Sequence, residues 1–299
     1  MSNLALITDR NSLSIDYDMP FLLDACHAQG LSTQICDWED LNIEWASFDA
    51  VLFRSPWNCV EKLPKFLNWC EEINKVTTLF NPLSVARWAL DKHYLSDLAA
   101  YGVPIVPSIF IETETPILQA IELLLDECPT TKEIVVKPTI GSYSRGVKRF
   151  IKSHTKELLS YITYFLNKVQ PVIIQPYFDS IDQYGETDLI YFDNVYSHAI
   201  CKNALLMPDG TVNVPTLDFR TSRIADDEER MVALSALIAT SKHLNLEQPL
   251  LYGRVDLIRD NDNKPMILEL DICEPSLNLS FSEGSAMRFV DALKKRITH

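Results

Sequence analysis

The chain has 299 residues, 47% of them hydrophobic and 23% charged, with a formal net charge of −14, a composition that excludes fibre and wholesale disorder. So acidic a chain suits neither a nucleic-acid backbone nor an anionic membrane surface, and no apolar run approaches the ~20 residues of a membrane helix; neither partner is expected. The seven cysteines are scattered, with no C-x-x-C pair, and the apolar run in MSNLALITDR is too short for a signal-peptide core, so reduced thiols and a cytoplasmic location are expected.

In chain order, LALIT (4–8) and AVLF (50–53) read as short buried strands. FLLDACHAQG (21–30) and PKFLNWCEEI (64–73) have the apolar spacing of helices. Strands alternating with helices predict an α/β unit on a parallel sheet. NPLSVARWALDKHYLSDLAAYGVPIVP (81–107) predicts one helix over 85–99, with Val85, Trp88, Leu95 and Ala99 facing inward and Lys92 on the same stripe. Gly102 closes that helix, and Pro104 and Pro107 mark a linker, so a first domain is expected over 1–107.

IELLL (121–125) and KELLSYITYFL (156–166) read as helices, EIVVK (133–137) and VIIQPY (172–177) as strands. They predict an α+β lobe over 108–180. Strands LIYF (189–192) and YSHAIC (196–201), an irregular stretch to about 225, a helix over 226–243 and a hairpin over 251–272 predict a second lobe over 181–299.

That hairpin, LYGRVDLIRDNDNKPMILELDICEP, carries the sharpest local signal. Strand alternation puts Arg254 and Asp256 on one face of the first strand, and Ile267, Glu269 and Asp271 on one face of the second. A turn centred between Asp262 and Asn263 sets Asp256 opposite Glu269 and Arg254 opposite Asp271, with Cβ atoms about 4.5–5.5 Å apart. Like charges so placed destabilise a sheet unless neutralised, either by solvent or by a divalent cation. Oxygen ligands with no nearby histidine or cysteine favour Mg²⁺ or Mn²⁺.

Upstream, VVKPTIGSYSRGVKR (135–149) ends an apolar strand in Lys137, whose desolvation calls for an anion close by. The loop after it offers Gly141 and Gly146 for close backbone approach, the hydroxyls of Ser142 and Ser144, and Arg145. It lacks the lysine of a Walker loop. With only Tyr143 and Val147 as apolar anchors, the loop is expected to be mobile until a ligand closes it.

Taken jointly, DK…G-V-P (91–104), VVKP…GSYSRGV (135–147), VIIQPY…G-E (172–186) and GRVDLI…ILELDICEP (253–275) resemble the ATP-grasp ligases, the family of D-alanine:D-alanine ligase and glutathione synthetase. RSPWN (54–58) and EPSLNLSF add a likeness to the small D-cycloserine-forming type. The resemblance implies an ATP-grasp fold, an N-terminal α/β domain followed by two α+β lobes that clasp ATP. It implies that Lys92, Lys137 and the loop Gly141–Gly146 hold phosphates, that Gln175, Pro176, Tyr177 and Phe178 face adenine, and that Glu186 or Asp179 meets ribose. Asp256, Glu269 and Asp271 resemble the metal ligands, the last often Asn in the family, and Arg254 resembles the arginine at the transferring phosphoryl group. Such a protein uses ATP with Mg²⁺ to turn a small-molecule carboxylate into an acylphosphate that an amine or similar nucleophile attacks, and members often form homodimers.

Around that centre, Arg54, Arg220 and Arg223 are candidate clamps for a substrate carboxylate. Lys202 is a candidate phosphate contact, and Glu274 and Asn278 are candidates for an ammonium group or the metal. A kinase on the same architecture and a nucleotide-binding module without catalysis are the alternatives to a ligase.

Overall fold

The computed structural model describes residues 2–213 and 216–297. Strands β1 (Asn3–Thr8), β2 (Ser32–Asp37), β3 (Ala50–Ser55) and β4 (Thr78–Phe80) form a parallel sheet in the order β2-β1-β3-β4. Leu4, Leu6 and Leu52 pack into the core on one face, and Ala5, Ile7, Val51 and Phe53 into the core on the other. Burial on both faces is why these strands read as unbroken apolar runs. The helices α1 (Met19–Ala28) and α2 (Leu63–Val76) cover opposite faces.

The helix expected over 85–99 is interrupted. It forms as α3 (Leu83–Ala89) and α4 (Tyr94–Ala100), so Lys92 sits in the break and not on a helical stripe. There its backbone N–H donates to the carbonyl of Thr139, 2.9 Å away. Ala99 is exposed, and Leu98 packs inward in its place. The segment expected to be a linker is also engaged, since Val106 and Pro104 exchange backbone hydrogen bonds with Ile267.

Strands β5 (Ile109–Ile111), β6 (Glu133–Pro138), β7 (Lys148–Ile151) and β8 (Val172–Pro176) form an antiparallel sheet, ordered β5-β8-β6-β7. Ile134 and Val136 of β6 pack against α5 (Ile117–Glu127) and α6 (Thr155–Leu166), which leaves Val135 and Lys137 on the opposite face.

After a short α7 (Ser180–Tyr184), β9 (Glu186–Phe192), β10 (Val195–Lys202), β11 (Arg220–Arg223), β12 (Tyr252–Arg259) and β13 (Pro265–Asp271) form a second antiparallel sheet, ordered β11-β10-β9-β12-β13. β11 occupies part of the stretch expected to be irregular. Helix α8 (Asp227–His243) begins in a capping box built by Asp226 and Glu229 and covers one face through Ala233, Ala236 and Leu237. It lies so close that a Cβ on Gly253 would stand 2.9 Å from Leu237 Cδ2. The C-terminal α9 (Ser285–Ile297), unmarked in the reading of the sequence, closes the core beside α1.

The hairpin register matches expectation where it counts, with Asp256 opposite Glu269 and Arg254 opposite Asp271. The turn is one residue shorter than expected. A bulge between Asp256 and Leu257 sets Leu257 opposite Ile267 and leaves Leu268 as the extra residue. Ile267 therefore turns into the core and does not share the face of Glu269, as expected from plain alternation, while Leu268 turns towards the cleft.

Candidate active site

The face of the large sheet opposite α8 carries a row of charged side chains across its five strands. The register sets Arg220 of β11 beside Lys202 of β10, Lys202 beside Glu186 of β9, and Asp188 of β9 beside Asp256 of β12, which in turn faces Glu269 of β13. Two cations hold the middle of this row together. Lys202 Nζ lies 2.7 Å from Glu186, 3.4 Å from Asp188 and 3.6 Å from Asp256. Arg254 pairs with Asp256 at 2.8 Å and with Asp271 at 3.0 Å.

Burial and the facing Asp256 carboxylate push the Asp188 carboxyl above the usual range, against the pull of Lys202 and Arg254. Burial likewise raises Asp271 despite the neighbouring Arg254. Burial would raise Glu269 too, but Lys92 at 3.1 Å and Lys137 hold it down to about 2. Lys137 sits on the facing sheet, and its desolvation lowers it to about 8. Asp188 was not among the residues singled out in the sequence, although alternation from Glu186 in ETDLIYF puts it on the same face.

The cleft between the two antiparallel sheets has an apolar part lined by Val135, Tyr177, Ile181, Ile258 and Leu268, with Gln175 and Pro176 on its edge. Phe178 does not join them. It packs in the same apolar cluster as Val135, Tyr177, Ile181 and Ile258 but lines a separate cavity beside Asp179. Asp179 lies outside as well, paired with Lys132 at 3.0 Å, whereas Glu186 lines the cleft.

The glycine-rich loop covers this cleft and a second cavity beside it through Gly141, Ser142, Tyr143 and Ser144. Gly146 (φ 72°) turns towards the outer surface, where a Cβ would meet Phe165 at 2.8 Å. The loop is better held than its composition suggested. Lys92 Nζ donates to the Gly141 carbonyl, Tyr143 packs edge-on against Trp57 with ring centroids 5.2 Å apart, and Arg145 pairs with Glu61. Those anchors, Trp57, Glu61 and Lys92, lie far upstream in the chain, so nothing local in the loop sequence announced them.

Of the three candidate clamps, only Arg220 lines the second cavity; its guanidinium donates to Asn278 Oδ1 at 2.7 Å. Arg223 lies three residues on in β11 and so projects from the opposite face, against Thr187 and Glu229. Arg54 is buried below the cavity floor, donating to the carbonyls of Phe53 and Pro275. It braces the segment after β13 and does not face the cavity. Asp18 braces the same segment, accepting from the backbone N–H groups of Leu277, Asn278 and Leu279. Asn278 itself is buried in the left-handed conformation (φ 53°). Glu274 lines the cavity.

For a divalent cation the donor set is suitable: oxygen only, buried and in excess. Glu186, Asp188 and Asp256 have oxygens within 4.8 Å of one another, and Asp188 Oδ1 is buried without a hydrogen-bond partner. That grouping shares Asp256 with the expected trio of Asp256, Glu269 and Asp271, and every member of both is paired with a cation: Lys202 or Arg254 in the first, Lys92 or Arg254 in the second.

Two lobes that clasp a charged cleft, one presenting lysines and a glycine-rich loop and the other a carboxylate hairpin, define an ATP-grasp ligase. Residues 4–81 match the family described as the N-terminal domain of D-cycloserine synthetase DcsG. Over 297 residues, 99% of both chains, the protein is 51% identical to the cycloserine biosynthesis protein DcsG of Streptomyces lavendulae. It superposes on the crystal structure of D-cycloserine synthetase DcsG with a TM-score of 0.95, covering 99% of this chain and 100% of that one at 51% identity. The D-alanyl-alanine synthetase A of Vibrio cholerae shares the fold alone, with a TM-score of 0.68 at 12% identity over 99% of this chain and 97% of that one. The chain belongs to the D-cycloserine synthetase family of ATP-grasp ligases. It is an ATP-dependent, ADP-forming enzyme that joins a carboxylate to an amine-type nucleophile.

Proposed function

We propose that this enzyme makes cycloserine or a close cyclic relative, activating the carboxylate of a serine-derived amino acid and closing the ring with a nitrogen of the same molecule. Cycloserine is a five-membered cyclic hydroxamate, so an aminooxy nitrogen held near its own activated carboxylate needs only orientation to react. The observation that carries the reading is the charged row from Arg220 to Glu269, which runs from the nucleotide cleft into the second cavity. The full-length identity to DcsG supports the choice of product.

In this reading adenine lies between Val135 and Leu268, beside Gln175, Pro176 and Tyr177, with Glu186 on the ribose side. Lys92, Lys137 and the backbone around Gly141–Ser144 hold the phosphates. Asp256 and Glu269, with Asp271, would hold Mg²⁺, which shields the negative charge of the terminal phosphate. Arg254 and Lys202 neutralise charge where the phosphoryl group moves, and Arg220 orients the carboxylate that attacks it. The carboxylate oxygen attacks the γ-phosphorus and ADP leaves. The nitrogen then attacks the acyl carbon and phosphate departs.

Incubation with O-amino-D-serine and Mg–ATP tests the proposal: ADP, phosphate and cycloserine should appear in equal amounts by mass spectrometry. AMP and pyrophosphate, or a stable phosphorylated amino acid, would overturn it.

Removing the hairpin carboxylates tests the metal assignment. Asp256→Ala and Glu269→Ala should each weaken Mg–ATP binding at least tenfold by calorimetry, because the triphosphate then meets the site with less bridging charge. Unchanged affinity in both variants assigns the metal elsewhere.

The position of Lys137 adds a pH dependence. Its ammonium is depressed to about 8 in the ATP-free protein by burial, and bound phosphates favour the charged form. Above pH 8 each binding event must take up a proton, so the Mg–ATP dissociation constant should rise by up to about tenfold per pH unit between pH 8 and 9. A Lys137→Met variant should bind more weakly at pH 7 and lose this dependence. A flat profile for the parent protein would count against Lys137 as a phosphate ligand.

A further inference from the structure

We propose that Arg149 is a positioning residue for the nucleotide: it touches no ligand itself, but it fixes Tyr177 and the backbone at Leu206, two walls of the slot that takes the base. The inference rests on the reading that places adenine in the apolar part of the first cleft.

Arg149 stands on β7 opposite Val135 of β6, on the face of the small sheet turned away from α5 and α6. It is only 6% exposed, yet it does not line the cleft. A cation so buried must be matched by nearby acceptors. Its Nη2 pairs with Glu133 of β6 and, at 2.9 Å, with Asp182 of α7, while Nη1 donates to the carbonyl of Leu206 at 3.3 Å, in the stretch after β10. One guanidinium thus ties the small sheet to α7 and to a segment that leaves the large sheet.

The same group lies 3.6 Å from the centre of the Tyr177 ring, within reach of a cation–π contact. Tyr177 is held at two further points. Its backbone N–H donates to the Glu133 carbonyl at 2.9 Å, and its hydroxyl donates to Asp182 Oδ1. Glu133 and Asp182 are also the two residues whose carboxylates Arg149 grips. Without the guanidinium, the ring loses the group over its face and Asp182 loses the charge that aims it at the hydroxyl.

Tyr177 and Leu206 both line the apolar part of the cleft. A flat base gains most from walls already standing at the right separation, because ordering them at the moment of binding costs affinity. The phosphate end is built separately, with Lys92 and Lys137 set against Glu269. Loss of Arg149 should therefore fall on the base and leave the phosphates alone.

Calorimetry of the intact enzyme with Mg–ATP and with Mg–tripolyphosphate, which has the charges but no base, tests the assignment. The parent should prefer ATP by at least about 30-fold, and Arg149→Lys should cut that preference about tenfold with tripolyphosphate affinity kept within about threefold. Lysine retains a charge beside Glu133 and Asp182, so the fold is kept, but it supplies neither the fork nor the planar face. Arg149→Met combined with Glu133→Gln, which leaves no unpaired carboxylate at the more buried partner, should show the larger shift. In ADP release with O-amino-D-serine, Arg149→Lys should raise KM for ATP about tenfold and leave kcat within about threefold. The binding arm needs no second substrate and so decides the matter apart from the cycloserine reading. Equal losses for ATP and tripolyphosphate would make Arg149 a purely structural ion-pair partner and overturn the proposal. So would an ATP preference that survives in both variants. A parent enzyme that binds the two ligands alike would instead refute the adenine slot itself.

Discussion

Lys202→Met is expected to destabilise the protein by about 3–5 kcal/mol, the cost of stripping one partner from a buried ionic cluster. The side chain is 12% exposed, and its ammonium lies within 4 Å of Glu186, Asp188 and Asp256. Two of these, Asp188 and Asp256, stand directly opposite each other on neighbouring strands, where like charges repel. Methionine keeps most of the volume and removes the charge, so packing loss contributes little. Urea unfolding should show the drop near pH 7, and Glu186→Gln combined with Lys202→Met should recover part of it by removing one of the orphaned charges. Because the oxygens of this trio lie within 4.8 Å of one another, millimolar Mg²⁺ or Mn²⁺ should also stabilise the variant more than the parent. A drop below about 1 kcal/mol would mean that water already screens the cluster, and that Lys202 is not its organising charge.

The parts of this fold that were legible in the sequence are those in which local pattern and tertiary demand agree. Parallel strands buried on both faces had to be continuous apolar runs, and LALIT and AVLF are. The hairpin around Asp256 and Glu269 had alternation on both strands and a polar turn between them. What escaped notice was set by contacts distant in sequence. The break at Lys92 arises where its N–H finds the carbonyl of Thr139, just past the end of β6, at no proline or glycine. Arg54 ends a strand of the first sheet, where ligands often bind, but a carbonyl 221 residues away claims its guanidinium. Arg223 was misplaced for a simpler reason, since a segment read as irregular offers no alternation from which to tell its two faces. The bulge at Leu268 was invisible because a one-residue shift in the turn compensates for it at the functional pairs. The family pattern singled out charges that the fold brings to one face of the large sheet, and of the three candidate clamps the geometry sets only Arg220 on the second cavity.

Arg254→Ala is expected to lower kcat by about 10²–10³ while Mg–ATP affinity changes by less than about threefold. The guanidinium lines the second cavity next to Asp256 and Asp271, where the proposed mechanism brings the carboxylate to the terminal phosphate. A charge placed there stabilises the moving phosphoryl group more than it stabilises bound nucleotide, and the loss should fall on the rate. Arg254→Lys keeps the charge but not the fork that reaches two carboxylates at once, so it should recover stability more fully than activity. The chemical step can be isolated with D-serine, which offers the carboxylate and the amino group but no ring-closing nitrogen, supplied together with hydroxylamine. The parent enzyme should release ADP and seryl hydroxamate in equal amounts, and Arg254→Ala should depress both together. Hydroxamate formation that survives in Arg254→Ala would remove this residue from phosphoryl transfer. AMP in place of ADP would mean that the charge of the site is focused on the α-phosphate, contrary to the convergence of Arg254, Lys202 and the hairpin carboxylates at the far end of the nucleotide cleft.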